Sequence, residues 1–384
     1  MTNRLQAHNT DNARIQLAVE SNCFAPDWWS KGVANYARHI LDRLCSDCGL
    51  SPSCFSKTFH PLAETELPAN CKLQVVSGKS GLWRNTALRS LAHDAGANVA
   101  WFPFHVVPWM RTPIPFVTTV HDLSFMIKPG QSTDIKTIGY FTLALMNALW
   151  RSRKILAISQ TTANDIVRYF PWAKSKIRVA KHGLPDDCRG LGDLLLRSGG
   201  LAREKVIIAK VLFLDGGNQR KRLDLALKAC ASLANDWPLQ LTITGNPNHA
   251  AYICRRTLGK VPSFVRLVGL LPRAELLQEM ASSNVLTYLS HYEGFGFPII
   301  EGMSLGAQVV ALDGRAEKEV GGKLAIYSKS ELPSDLAQAI AQGISDSFDP
   351  GKSSDIIAHA RSFSWDESAR VHLEAFQQAL QKSK

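Results

Sequence analysis

Two rhythms of apolar and polar positions alternate along the chain. Short apolar runs suit buried strands, and longer stretches with apolar residues three and four apart suit helices. In the first half, Arg14–Glu20, Val99–Phe102, Phe116–Val120 and Ile155–Ser159 read as strands. Val33–Leu44 and Thr162–Tyr169 read as helices, the second with Ser159 or Thr161 as its cap. The run His182-Gly183-Leu184-Pro185-Asp186-Asp187 is turn chemistry and marks a break. The rhythm then restarts: Val206–Leu214, Leu239–Thr244, Val265–Val268, Val285–Leu289 and Gln308–Leu312 are strand-like, while Arg222–Leu233 and Ala274–Ala281 are helix-like. The tail Ser364–Leu380 opens Ser-Trp-Asp-Glu, a good helix start. Such alternation predicts an α/β protein with two doubly wound, Rossmann-like parallel-sheet domains, 1–185 and 186–363, followed by a helix in 364–384. Two such domains in one chain predict a cleft between them, with ligands outside the carboxyl ends of the strands.

A length of 384 residues fits two domains of this size, and 45% hydrophobic with 20% charged residues is a globular balance. Charge divides the halves. Residues 1–185 carry 21 Lys and Arg against 11 Asp and Glu, a balance of +10, whereas the remainder is +1. A basic first half attracts phosphate-bearing substrates or an acidic membrane surface, with a solvated basic face as the plainer reading. No nucleic-acid partner is expected. Cys45 and Cys48 form a C-x-x-C without a second close pair, so reduced thiols rather than a zinc site are expected, and no metal. The polar start has no apolar signal core, which predicts a cytoplasmic location. Thr137–Trp150 is the longest apolar stretch and is too short to span a bilayer, so any membrane contact is peripheral.

The sharpest chemistry lies between Ser290 and Gly306. The strand ending near Leu289 is followed by Glu293, then Gly294, Phe295, Gly296, Phe297 and Pro298, with Glu301 eight residues after Glu293. Gly294 and Gly296 let backbone approach a ligand, and Pro298 suits a first helical position. The N–H groups of Phe297, Ile299 and Ile300 would then point at a phosphate, with both glutamates accepting hydrogen bonds from sugar and ribose hydroxyls. Two acids near a helix start also suit the helix dipole alone. After the strand ending at Leu214 come Gly217, Asn218, Arg220 and Lys221. A guanidinium and an ammonium there could neutralise a leaving nucleoside diphosphate. No D-x-D triplet occurs, so the diphosphate charge falls to the protein, and no cofactor is expected beyond a sugar nucleotide as co-substrate. Seven of nine tryptophans lie in the basic half; Trp28 and Trp29, beside Lys31 and Gly32, are the pair placed to stack on a sugar.

Glu293-x7-Glu301 with its G-x-G-x-P-x-x-E core resembles the donor-site signature of the retaining family 4 glycosyltransferases, which have the GT-B fold. The resemblance runs along nearly the whole chain. Lys31-Gly32 resembles the acceptor-side glycine loop, with Lys31 where the first glycine is usual. Val120-His121-Asp122-Leu123 resembles the family's His-Asp loop. Ala180-Lys181-His182-Gly183 resembles a late first-domain strand, and Leu214–Lys221 is similar to the basic phosphate loop. Arg315–Val320 is similar to the segment after the next strand, and Phe363-Ser-Trp365 to the helix that crosses back to the first domain. The resemblance implies catalytic roles for Glu293, Arg220, Lys221 and His121, the last approaching the donor sugar. It implies nucleotide-sugar contacts from Glu301 and the 294–300 loop, and acceptor contacts from the first domain. The His121-Asp122-Leu123 style most resembles mannosyl- and rhamnosyltransferases of surface polysaccharide or O-antigen assembly. That suggests GDP-mannose as donor and a lipid-diphosphate-linked glycan as acceptor, with the protein peripheral on the inner membrane face.

Two rivals carry different expectations. A nicotinamide oxidoreductase needs a third glycine where Ile299 stands. A non-catalytic sugar-nucleotide binder would keep the fold without turnover, and the intact set of Glu293, Glu301, Arg220 and Lys221 argues against it.

Overall fold

The structure is a computed structural model of the 384-residue chain. It describes residues 14–25, 31–57, 67–76, 82–127, 135–198, 208–214, 217 and 219–381. The chain divides into two compact units: 1–129, 133–183 and 364–384 form one, while 130–132 and 184–363 form the other.

The first unit is built on seven strands: β1 (Leu17–Glu20), β2 (Ser53–Ser56), β3 (Lys72–Val75), β4 (Val99–Phe102), β5 (Phe116–Val120), β6 (Lys154–Ala157) and β7 (Ile177–Val179). Every pairing is parallel, in the order β3-β2-β1-β4-β5-β6-β7. The central strands β1, β4 and β5 are buried throughout, whereas edge strand β3 (Lys-Leu-Gln-Val) is mostly exposed. Its composition hides it from a hydrophobic reading, and pairing to β2 alone defines it. Ser159 caps the helix Gln160–Tyr169, its hydroxyl accepting from the Thr162 N–H at 2.9 Å. Ser364 likewise caps Trp365–Leu380, accepting from Asp366 and Glu367. That last helix packs into the first unit: Trp101 meets His372 edge-on, and Phe376 is fully buried beside it. Tyr36 Oη lies 2.5 Å from His372 Nε2 and 2.9 Å from Thr119 Oγ1, and the Trp101 indole donates to Thr119. A polar chain thus runs through an aromatic core with its hydrogen bonds satisfied.

The second unit carries β8 (Ala209–Leu214), β9 (Leu239–Thr244), β10 (Val265–Val268), β11 (Val285–Tyr288), β12 (Gln308–Ala311) and β13 (Ile326–Tyr327). They pair in parallel in the order β10-β9-β8-β11-β12-β13. Its core joins the apolar faces of the helices Leu223–Leu233 and Pro333–Asp346 to the sheet. Both sheets reverse their strand order, between β1 and β4 and between β8 and β11. Loops leaving the two strands at such a point diverge and leave a crevice at their carboxyl ends.

Candidate active site

Sequence order alone puts Arg220 and Glu293 some seventy residues apart. The sheet brings them together, because Arg220 follows β8, Glu293 follows β11, and these strands are neighbours at the reversal point. The Arg220 guanidinium stands 3.3 Å from the Glu293 carboxylate, with both side chains largely shielded from solvent. Ser290 Oγ donates to the same carboxylate at 2.7 Å, and the His291 N–H donates to the Arg220 carbonyl at 3.2 Å. The two loops are therefore sewn together as a unit. Lys221 closes the Gln219–Lys221 turn, its Nζ donating to the Leu214 carbonyl at 3.1 Å. Gly217 adopts φ 69°, a left-handed conformation that favours glycine. Asn218 lies outside the described residues.

Arg222, next in the basic run, reaches the same loop after β11, its guanidinium 3.1 Å from His291 Nε2. It holds a left-handed φ of 57°, and its guanidinium meets Asp224 at 3.1 Å and Glu331 at 2.5 Å. Arg222 thus ties the loop after β11 to its own helix start and to Glu331.

Gly296 begins the helix Phe297–Ser304 with φ 108°. This corrects two details of the sequence reading. The helix starts one residue early, so Pro298 occupies its second position. The Ile299 N–H closes onto the Gly296 carbonyl at 3.0 Å, so it is already engaged as a donor. The Ile299 and Ile300 side chains are fully buried and serve packing, as does Phe295 between Phe297 and Phe363. Phe297 and Pro298 remain partly exposed, so backbone and these two side chains are what the stretch offers a ligand. Gly294 is itself buried.

Glu301 is not paired with Arg220 or Lys221. It sits under Arg273, first residue of the helix Arg273–Ser282, at 2.8 Å. The same guanidinium grips both oxygens of Asp187, at 2.8 and 3.1 Å. Burial raises the Glu301 carboxyl above the usual range and Arg273 opposes that rise. The motif's two glutamates thus each have their own arginine.

Glu317 is a further acid near the Arg220–Glu293 pair. It lies in the first turn of the helix Arg315–Gly321, just after β12, and is 1% exposed. Its carboxylate folds over Gly314, where any Cβ would stand 1.9 Å from Oε2, and Oε1 has no hydrogen-bond partner. Burial pushes its carboxyl up to about 7, with its own backbone N–H opposing, Glu293 adding to the rise and Arg220 opposing it. Tyr288, at the end of β11, is held well above its ordinary range by burial and by Glu293 and Glu317. Neither Arg273 nor a buried Glu317 was marked as a site residue by sequence. Position offers the missing signal: Arg273 follows β10 and Glu317 follows β12, at the strand ends where this sheet carries its other polar groups.

The residues that the resemblance assigns to the first domain lie in the first unit. His121 leaves β5, and its Nε2–H donates to the Pro103 carbonyl at 2.8 Å. Burial lowers its pKa, with the Pro103 carbonyl and Asp122 opposing, and Tyr36 packs edge-on against it at 5.0 Å. Asp122 caps the short helix Ser124–Ile127, accepting from the Ser124 N–H and hydroxyl at 2.8 and 2.7 Å. Lys31 and exposed Gly32 open the helix Lys31–Ser46 and are helical rather than a free glycine loop. Trp28 and Trp29 lie outside the described residues. Cys45 and Cys71 approach to 3.7 Å, and no group of three metal-ligating side chains gathers among the described residues.

Residues 209–346 match the family model "Glycosyl transferases group 1", a span that includes Arg220, Lys221, Glu293, Glu301, Arg273 and Glu317. The second unit carries a group 1 glycosyltransferase domain. The chain is 24% identical over 269 residues to the O-antigen chain mannosyltransferase B of Escherichia coli, covering 68% of this chain and 69% of that protein. It is 22% identical over 316 residues to the E. coli serotype-specific mannosyltransferase WbdA, covering 78% of this chain but only 38% of WbdA. Among solved structures, Anabaena HepE in complex with UDP and glucose superposes with a TM-score of 0.67 at 16% identity, over 94% of this chain and 98% of HepE. That likeness concerns the fold, which is GT-B in its pair of parallel-sheet units. No helix among the described residues is long and apolar enough to cross a membrane.

Proposed function

We propose that this glycosyltransferase moves a hexose or deoxyhexose, mannose from GDP-mannose first, onto a lipid-linked glycan in surface polysaccharide assembly. The observation that carries the donor reading is the Arg220–Glu293 pair at the reversal point between β8 and β11. A cation there neutralises the diphosphate as it leaves with the electron pair of the C1–O bond, and Lys221 adds a second charge. The glutamates accept hydrogen bonds from hydroxyls, Glu293 from the sugar and Glu301 from the ribose. With a carboxyl pKa near 7, Glu317 is partly protonated at neutral pH and able to donate a hydrogen bond where a carboxylate would only accept. Transfer proceeds with retention and without a metal, as the family resemblance implies. His121, anchored by one nitrogen on the Pro103 carbonyl, would approach the donor sugar from the first domain, as the family resemblance implies.

Mannose is favoured because two relatives are named mannosyltransferases, one of an O-antigen chain. The chain spans less than two fifths of WbdA, so that protein's whole activity is no guide here. A thermal-shift screen against GDP-mannose, UDP-glucose and dTDP-rhamnose tests the reading. Stabilisation by GDP-mannose alone supports it, and stabilisation by none of the three contradicts it.

A further inference from the structure

The helix Ile135–Arg151 is apolar on both faces. Its inner side buries Ala144, Leu145, Ala148 and Leu149. Its outer side presents Tyr140, Leu143, Met146 and Trp150, of which Leu143 is 59% and Trp150 73% exposed. A solvated helix normally turns polar residues outward, and here the only charges are Lys136 and Arg151 at its ends. The patch continues beyond the helix. Asn147 donates to the Pro108 carbonyl at 3.2 Å, which holds the loop with exposed Trp109 and Met110 alongside. Half-exposed Trp172 packs edge-on against Trp150, with ring centres 5.8 Å apart.

Positive charge borders the patch. Arg111, Arg151 and Arg153 line a hollow of about 370 Å³ with Trp150, and Lys176 donates to the carbonyls of Leu149 and Trp150 at the helix end. From residue 95 to 181 the sequence holds eleven Lys and Arg, no Glu and three Asp, one of which, Asp165, is buried. Aromatic and aliphatic residues ringed by Lys and Arg match the two layers of a bilayer surface, acyl chains below and anionic headgroups above. A second copy of the chain would set one basic rim against another, an unfavourable pairing.

We propose that the outer face of the helix Ile135–Arg151, joined by Trp109, Met110 and Trp172, docks the protein on an anionic lipid bilayer. It deepens the lipid-linked acceptor reading, on which its biological sense rests, and it can fail separately. The full chain is mixed with vesicles of phosphatidylcholine alone or with added phosphatidylglycerol, sedimented, and assayed in parallel for transfer to a water-soluble acceptor. Binding is expected only with phosphatidylglycerol and is expected to fall as salt rises. A Leu143→Ser/Trp150→Ser double variant should bind at least about tenfold more weakly, with unchanged melting temperature and unchanged transfer to the soluble acceptor. Arg151→Gln/Arg153→Gln should lose the preference for phosphatidylglycerol. No sedimentation of the wild type, or equal sedimentation of the serine variant, overturns the proposal. So does a dimer in solution that the serine variant dissociates. Vesicle binding without any transfer would instead overturn the functional reading and leave the docking face standing.

Discussion

Arg273 holds the carboxylates of Glu301 and Asp187 together, at 2.8 Å from each. One guanidinium from the end of β10 thereby fixes the orientation of the motif's second glutamate. It also opposes the burial that favours the protonated form of Glu301.

Removing that guanidinium should act on donor binding through Glu301. In Arg273→Met the Glu301 carboxyl loses the charge that opposes its rise, so it is protonated over a wider range of pH. The donor KM is expected to climb at least about tenfold, about 1.4 kcal/mol, and the penalty should grow as pH falls, because burial raises the Glu301 carboxyl and the opposing charge is gone. Arg273→Lys should restore part of it. Measuring KM and kcat as a function of pH checks this. A KM penalty independent of pH would assign Arg273 a purely structural part.

Glu317, whose carboxyl burial also raises, gives a stability signature. Its folded pKa of about 7 lies above the unfolded carboxylate value, so between the two the folded state binds the extra proton. Stability from this group is full below the unfolded value and is lost as pH rises through about 7. Raising a buried carboxyl that far is worth about 3 kcal/mol. Glu317→Gln, which mimics the neutral acid, should melt later than wild type at about pH 8 and nearly equally at about pH 5. Urea titrations at both values test it. Parallel curves for both proteins would remove Glu317 from this role.

Much of this arrangement was legible in the sequence, and the reasons are local. Glu293, Glu301 and the glycines between them lie within one strand–turn–helix, so spacing alone placed them. Arg220 and Lys221 were legible because they follow an apolar strand. Arg273 was not, because its partners Asp187 and Glu301 are 86 and 28 positions away and only the folded unit joins them. Burial of Glu317 depends on its folding over Gly314, a conformation that leaves no trace in composition. Strand β3 escaped because an exposed edge strand needs no apolar alternation. The Ile299 N–H was misassigned because the left-handed Gly296 tightens the turn and consumes it.

Gly183 bears on the first unit alone. A Cβ there would lie 2.2 Å from the Trp365 backbone nitrogen and 2.5 Å from its ring. Backbone cannot yield as a flexible side-chain end can, so Gly183→Ala should displace the last helix from Tyr36 and Trp101. A cost of about 1–3 kcal/mol is expected, seen as a lower melting temperature with raised Trp exposure by fluorescence. An unchanged melting temperature would show that the helix start shifts freely.

The central claim is that Arg220 and Lys221 meet a diphosphate beside Glu293. Calorimetric titration of GDP, UDP and dTDP into wild type, Arg220→Ala and Lys221→Ala, in buffer with a metal chelator, addresses it directly. At least one nucleotide should bind wild type, and each variant should lose at least about tenfold in affinity, about 1.4 kcal/mol. Wild-type affinity in both variants, or no binding of any nucleotide, would contradict the account.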